Sequence, residues 1–421
     1  LQKKGWLGVD KNKSFGSGDK SFLRNKFSEC IKEKKNFFND FLEYLFYDGF
    51  NKENVENYVS EIKSKVPYLN GGLFEELFNY DWKKEYIEIP NSIFSNKNKN
   101  GILDIFDLYN FTVDENSDLE IDLAIDPEML GKVFENLLEE NVREEQGAYY
   151  TPREIVFYMC KNSLINFLTN VFKDKLNKRL IVNFISLASK FYLEQEFDDE
   201  ENKTFEILKK YSKSIDQVLK DINICDPAIG SGAFPVAMMN EVVRLRFLLA
   251  KINNTDQSLQ SLKKHFIKNS IYGVDIEPSA VEIAKLRLWL SLVVDVKDYS
   301  VIDTLPNLDY KIMQGDSLID EYYGISFDKK KEDELFSDNQ ETQSIIETLF
   351  SKQQEYYDLV ESNQKKIKRK EVENELKKIF EIALNNQLCK KQFKKYQNQE
   401  LDKNISNIKN DLINMSKTYV T

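Results

Sequence analysis

Ile222-Asn223-Ile224-Cys225-Asp226-Pro227-Ala228-Ile229-Gly230-Ser231-Gly232-Ala233-Phe234-Pro235 is the stretch on which the reading of this chain turns. A short apolar run ends in an acid, a turn of small residues follows, and an apolar helical pattern begins at once. Residues 222–226 read as a strand and 233–249 as a helix. Pro235 falls in the first helical turn, which has no use for its missing N–H. Small residues let a backbone approach a ligand closely, and a helix start favours a negative group such as a carboxylate. The dinucleotide fingerprint G-x-G-x-x-G is not present, and a Gly-x-Gly turn by itself is also a plain tight connection. The leading Asp226-Pro227-Ala228 makes the stretch more specific.

Working outward, the same grammar repeats. Ile271-Tyr272-Gly273-Val274-Asp275 reads as the next strand, and a helix with Pro278 in its first turn carries Ala280, Ala284, Leu288 and Leu292. Tyr310-Lys311-Ile312-Met313-Gln314 reads as a third strand, followed by Gly315-Asp316-Ser317. Short apolar runs, each with a turn and then a helical stretch, are the α/β signature. Ligands of such sheets bind at the carboxyl ends of strands. Asp275 there can accept from both hydroxyls of a ribose, or it can be only a helix cap. Asp316 can accept from the exocyclic amino group of an adenine, yet Gly-Asp-Ser is also a commonplace turn.

Residues 1–145 read as a helical domain, with apolar spacing at Phe37-Phe38, Phe41-Leu42 and Leu45, and again at Leu130, Val133-Phe134 and Leu137-Leu138. Asn70-Gly71-Gly72 reads as a turn and 96–101 as an exposed loop. Residues 146–325 form the α/β core. Residues 326–421 are charged and contain neither glycine nor proline; their broken spacing favours two or three antiparallel helices over one long coiled coil.

The 421 residues can bury a full core. No run approaches the roughly 18 to 20 apolar residues of a membrane span, and the first residues do not resemble a signal peptide, so the chain reads as soluble and cytoplasmic. Cys30, Cys160, Cys225 and Cys389 show no CxxC spacing and His265 is the one histidine, which argues against a disulfide framework, a zinc module and a histidine-rich metal site, and no metal ligand is assigned. A net charge of −11 is the wrong sign for coating nucleic acid, so any DNA-gripping surface is local or lies elsewhere. The chain starts at Leu1 rather than Met, and we read it as part of a larger protein.

Together these elements resemble the adenine-specific DNA methyltransferases of bacterial restriction-modification systems, especially the large single-chain type IIG enzymes. The family order is Tyr-Thr-Pro, Asp-Pro-Ala-x-Gly-Ser-Gly, an acidic strand end, Gly-Asp-Ser, then Asn-Pro-Pro-Tyr. Gly147-Ala148-Tyr149-Tyr150-Thr151-Pro152 matches the first element, although Thr151 as helix N-cap with Pro152 at the first helical position also explains its Thr-Pro. Leu130 to Glu135 and Lys3 to Val9 resemble the helical connector ahead of the type IIG core.

The resemblance implies a Rossmann-like core that binds S-adenosyl-L-methionine and acts on double-stranded DNA. Tyr150, Thr151 and Pro152, with Asp226, Pro227, Ala228, Gly230 and Gly232, would hold the methionine part. Asp275 would hold the ribose, Ile276 would pack on the adenine ring, and Asp316 and Ser317 would bind the adenine edge. The core is incomplete: no Asn-Pro-Pro-Tyr, Asp-Pro-Pro-Tyr or Ser-Pro-Pro-Tyr occurs, so no catalytic residue is assigned and the chain is expected to stop just short of that loop. That loop in the family holds the flipped adenine. A nuclease domain, with the Mg2+ it would use, is expected outside these residues; Asp118-Leu119-Glu120-Ile121-Asp122 reads as a solvated acidic stretch. Two alternatives stand beside this one: the modification subunit of a type I system, and a silent cofactor-binding module whose helical tail docks a partner.

Overall fold

The structure is a computed structural model that describes residues 1–69, 74, 80–108, 110–111, 124–125, 151–173, 175–193, 195–294, 307–319, 321–322, 325–326, 340–359, 364–365 and 367–378. The readings of Asn70-Gly71-Gly72, 118–122, 130–138 and 147–150 lie outside the described residues, as does the tail beyond 378. The chain divides into two compact units, one of residues 1–103, 299–310 and 318–421, the other of 104–298 and 311–317. No helix of the described residues is long and apolar enough to cross a membrane.

In the first unit, helix Phe22–Lys32 is followed by two π-helical segments, Phe38–Leu42 and Tyr44–Phe50. The apolar spacing seen in the sequence is buried as expected, at Phe37, Phe41 and Leu45. The Phe37 ring stacks on Phe41 at 5.1 Å and meets Phe27 and Phe94 edge-on at 5.2 and 5.1 Å. The described residues of 51–101 are mainly turns and extended chain around the hairpin of Tyr58–Val59 with Ser64–Lys65; lysines 97 and 99 lie in the exposed loop expected there. In the tail, helix Gln340–Asp358 is joined to helical residues 367–378 by the ion pairs Lys352–Glu375 and Lys368–Glu355, at 2.7 and 2.8 Å. The two pairs run in opposite order along the two stretches, which is antiparallel packing.

The second unit is built of helices around one small parallel sheet. Helices α1 (Arg153–Val171), α2 (Lys178–Tyr192) and α3 (Asp199–Lys220) precede strand β1 (Ile224–Asp226). Helix α4 (Ala233–Ile252) and α5 (Leu259–Asn269) lead to β2 (Ile271–Asp275), and α6 (Pro278–Val294) follows it, before β3 (Ile312–Gln314). The strands lie in the order β1-β2-β3, all parallel, with Asp226 opposite Gly273 and Asp275 opposite Gln314. Ile271, Gly273 and Ile312 are buried, whereas Cys225 and Met313 are exposed, the alternation of a pleated sheet. Helix α4 is buried on nearly every side, from Val236 to Leu249, and this explains why its apolar residues do not keep to one stripe.

Two sequence expectations are corrected. The third strand starts at Ile312 rather than Tyr310, because the Tyr310 ring turns edge-on to Tyr356 at 5.1 Å. The first helix begins at Arg153 with Pro152 as its N-cap and no side-chain cap from Thr151: the Pro152 carbonyl accepts from Ile155 and Val156 at 3.0 and 3.1 Å. Gly273 lies inside β2, as the sequence reading places it, and what calls for glycine there is the packing described below.

Candidate cofactor site

Three strand ends converge. Beyond β1, the Asp226 Oδ1 accepts from the Ala228 N–H at 3.1 Å, closing the start of the loop on itself. Gly230 and Gly232 take left-handed φ values of +53° and +86°, a region where a side chain is strained. Gly232 then caps α4. A Cβ at Gly230 would meet nothing within 4 Å, so this backbone faces open space, whereas one at Gly232 would lie 3.2 Å from Ala284 of α6.

The Asp275 carboxylate reaches across from β2. Its Oδ2 accepts from the Gly230 N–H at 2.7 Å and its Oδ1 from the Glu277 N–H at 3.0 Å. Of the two roles left open by the sequence, the capping of α6 falls to Glu277: its Oε1 accepts from the Ser279 hydroxyl at 2.7 Å and its carbonyl from the Val281 N–H. A carboxylate has about four acceptor positions, so Asp275 retains two after tying the loops together. Ile276, beside it, is 55% exposed.

Gly273 lets the first loop lie flat on β2. A Cβ there would fall 2.2 Å from Ile229 Cδ1, and the Ile229 N–H donates to the Val274 carbonyl at 2.9 Å. From β3, the Ser317 hydroxyl donates to the Pro227 carbonyl at 2.8 Å, so Ser317 binds the first loop to the third, and Asp316 is exposed beside it. Thr151 and Pro152 stand at the start of α1, whose Val156 and Cys160 pack with Ala237 of α4 and with Ala233 and Phe234 at its first turn. Tyr150 lies outside the described residues. The structure therefore brings together Asp226 to Gly232, Asp275, Ile276, Asp316 and Ser317, with Thr151 and Pro152 on the helix that backs the start of α4.

The electrostatics are unbalanced. Asp226 Oδ2 is buried with no hydrogen-bond partner in the structure. Burial pushes the Asp226 carboxyl above the usual range; the Ala228 N–H draws it down, and the Asp275 charge pushes it up again. Two acids at adjacent strand ends, one with an orphaned oxygen, fit a cationic group that carries donors. Cys160 is not a nucleophile for this site: burial, with the nearby Glu241 and Asp226 charges, pushes its thiol up to about 12.

Sequence reasoning missed Arg287. It is 3% exposed, and its Nη1 donates to the Ser231 carbonyl at 3.1 Å. The available signal was a charged residue three positions after Ala284, on the face of α6 that otherwise reads as core.

A parallel α/β layer with polar groups gathered at three consecutive strand ends defines the class: an open parallel sheet with its polar groups at the carboxyl edge, the edge at which such sheets bind ligands. More particularly, residues 269–417 match the family model described as Eco57I restriction-modification methylase. The chain is 31% identical over 316 residues to a type II restriction enzyme and methyltransferase of Methanocaldococcus jannaschii, covering 71% of this chain and 25% of that one. It is 25% identical over 282 residues to DNA methyltransferase A of Bacillus subtilis, covering 64% of this chain and 25% of that one. The chain thus spans a quarter of the length of these curated relatives. Among solved structures, the type IIL restriction-modification enzyme MmeI in complex with DNA matches with a TM-score of 0.43 at 18% identity, covering 71% of this chain and 36% of that one.

Proposed function

We propose that this chain is the S-adenosyl-L-methionine-binding portion of a Rossmann-like DNA methyltransferase of a restriction-modification system, acting on adenine N6 in double-stranded DNA. In the full protein it is joined to an endonuclease. The observation that carries the cofactor reading is the orphaned Asp226 Oδ2 beside Asp275, next to a glycine loop that opens to solvent at Gly230. The restriction-modification match over 269–417 supports the choice of reaction.

Bound there, S-adenosyl-L-methionine supplies a methyl group activated on a sulfonium. The chain's own residues bind and orient it. Asp226 receives the ammonium of the methionine part, and that positive charge relieves the repulsion between Asp226 and Asp275. The turn at Gly230 to Gly232 and the start of α4 face its carboxylate. Asp275 accepts the ribose hydroxyls with its two remaining acceptor positions, exposed Ile276 covers one face of the adenine, and Asp316 with Ser317 receives the adenine edge. The 421 residues hold no Asn-Pro-Pro-Tyr loop, so they are expected to bind the cofactor weakly and not to methylate DNA by themselves.

Calorimetric titration tests this reading. The parent chain should bind S-adenosyl-L-methionine, and Asp275→Ala should lose on the order of tenfold in affinity, the scale of a charge-assisted hydrogen bond. Unchanged affinity in that variant would remove the ribose assignment. A parent that shows no binding at millimolar ligand would remove the cofactor reading altogether.

A further inference from the structure

Helix α6 starts immediately after Asp275-Ile276-Glu277 and runs behind the glycine turn. It touches that turn at two points on one face. Ala284, fully buried, approaches Gly232 so closely that a Cβ on the glycine would lie 3.2 Å from both its Cα and Cβ. One turn further on, Arg287 donates from Nη1 to the Ser231 carbonyl at 3.1 Å, with the Ser231 hydroxyl at 3.5 Å. Ser231 is itself buried, at 8% exposure. An arginine stays cationic at every working pH, and burying a permanent cation is costly, so a leucine at this position would make the simpler core.

We propose that Arg287 is a positioning residue for the amino-acid end of the cofactor. By holding the Ser231 carbonyl it fixes the left-handed turn that leads into α4, whose helix start meets a carboxylate. Helix α6 also follows directly on the strand that ends in Asp275, so it touches both halves of the site. The assignment rests on the cofactor reading above and makes a narrower claim: Arg287 serves the methionine carboxylate and not the nucleoside.

The test compares two ligands on the full chain by calorimetry. S-adenosyl-L-methionine carries the amino-acid end, and 5′-methylthioadenosine lacks it. Arg287→Met should weaken the first about tenfold, as expected for the loss of a charge-assisted contact, and leave the second within about twofold. Arg287→Lys, which keeps the charge and a donor, should recover part of the loss. Equal losses for both ligands, or an unchanged affinity for S-adenosyl-L-methionine, would overturn the assignment. If the methionine variant does not fold, by circular dichroism, the lysine variant must show the same selective loss or the assignment falls. A parent chain that binds neither ligand refutes the cofactor reading itself; a parent that binds both, with equal losses in the variant, refutes only the role of Arg287.

Discussion

Replacing Gly273 by alanine tests whether the loop after β1 is seated by steric fit. The new Cβ would fall 2.2 Å from Ile229 Cδ1 and 3.1 Å from its Cβ and Cγ1. Ile229 is 3% exposed and its N–H is held by the Val274 carbonyl, so the side chain has little room to retreat. Forced overpacking of this kind costs about 1–3 kcal/mol. Gly273 has no positive φ, so alanine also narrows the unfolded ensemble, which offsets about 0.4–1 kcal/mol. The net expectation is a destabilisation of about 1–2 kcal/mol. Ile229→Val removes Cδ1, the atom in the way, and costs about 0.5–1.5 kcal/mol by itself. In the double variant the alanine methyl takes the place of that atom, so the two changes should not add. Urea denaturation of the parent, both single variants and the double variant gives the coupling, expected at about 1 kcal/mol in favour of the double variant. Costs that simply add would show that Ile229 does not rest on β2 as described, and the geometry of the loop would have to be given up.

Two further outcomes follow from the charges. The raised Asp226 carboxyl means that the folded state holds this proton more tightly than the unfolded one. Its contribution to stability is therefore lost as pH rises from the ordinary carboxylate range through the folded value. Asp226→Asn should be more stable than the parent at neutral pH, with the advantage vanishing in acid, as denaturation midpoints across pH would show; a parent that gains on the variant as pH rises contradicts the orphaned carboxylate. Asp216→Ala strips the partner from Arg246, whose Nε lies 2.9 Å from Asp216 and whose side chain is 6% exposed. Leaving that cation buried should cost about 3–5 kcal/mol, and a change under about 1 kcal/mol in denaturation would mean that water reaches it.

Local chemistry made much of the second unit legible. The strand at 271–275 has the bounds that its apolar run indicates, and the helix expected over 233–249 runs to Ile252, because apolar residues after a left-handed glycine have no competing conformation. The turn after β3 and the helix headed by Pro278 follow from the same rules. The errors came where packing overrode pattern: Tyr310 left its strand for Tyr356, and Thr151 gave up the cap to the Pro152 carbonyl. Residues 51–101, rich in Asn and Lys, offered no periodicity to read, and those of them that the structure describes are held by scattered side-chain contacts such as Asn36 Nδ2 to the Ile89 carbonyl.

The sequence by itself determined that three acids or acid-bearing turns end three strands, since those stretches are local and strongly patterned. It could not determine that Asp275 spans to Gly230, that Glu277 takes over the helix cap, or that Ser317 closes on Pro227, at separations of 45, 2 and 90 residues. Even the short-range choice between Asp275 and Glu277 depended on where the neighbouring loop stood. Parallel pairing decides such matters, because only the sheet sets strands far apart in the chain side by side with their carboxyl ends level. The orphaned oxygen of Asp226 and the contact of buried Arg287 with Ser231 exist only in that arrangement, and they make the loop at 226–232, plain in the sequence as a turn, a candidate site.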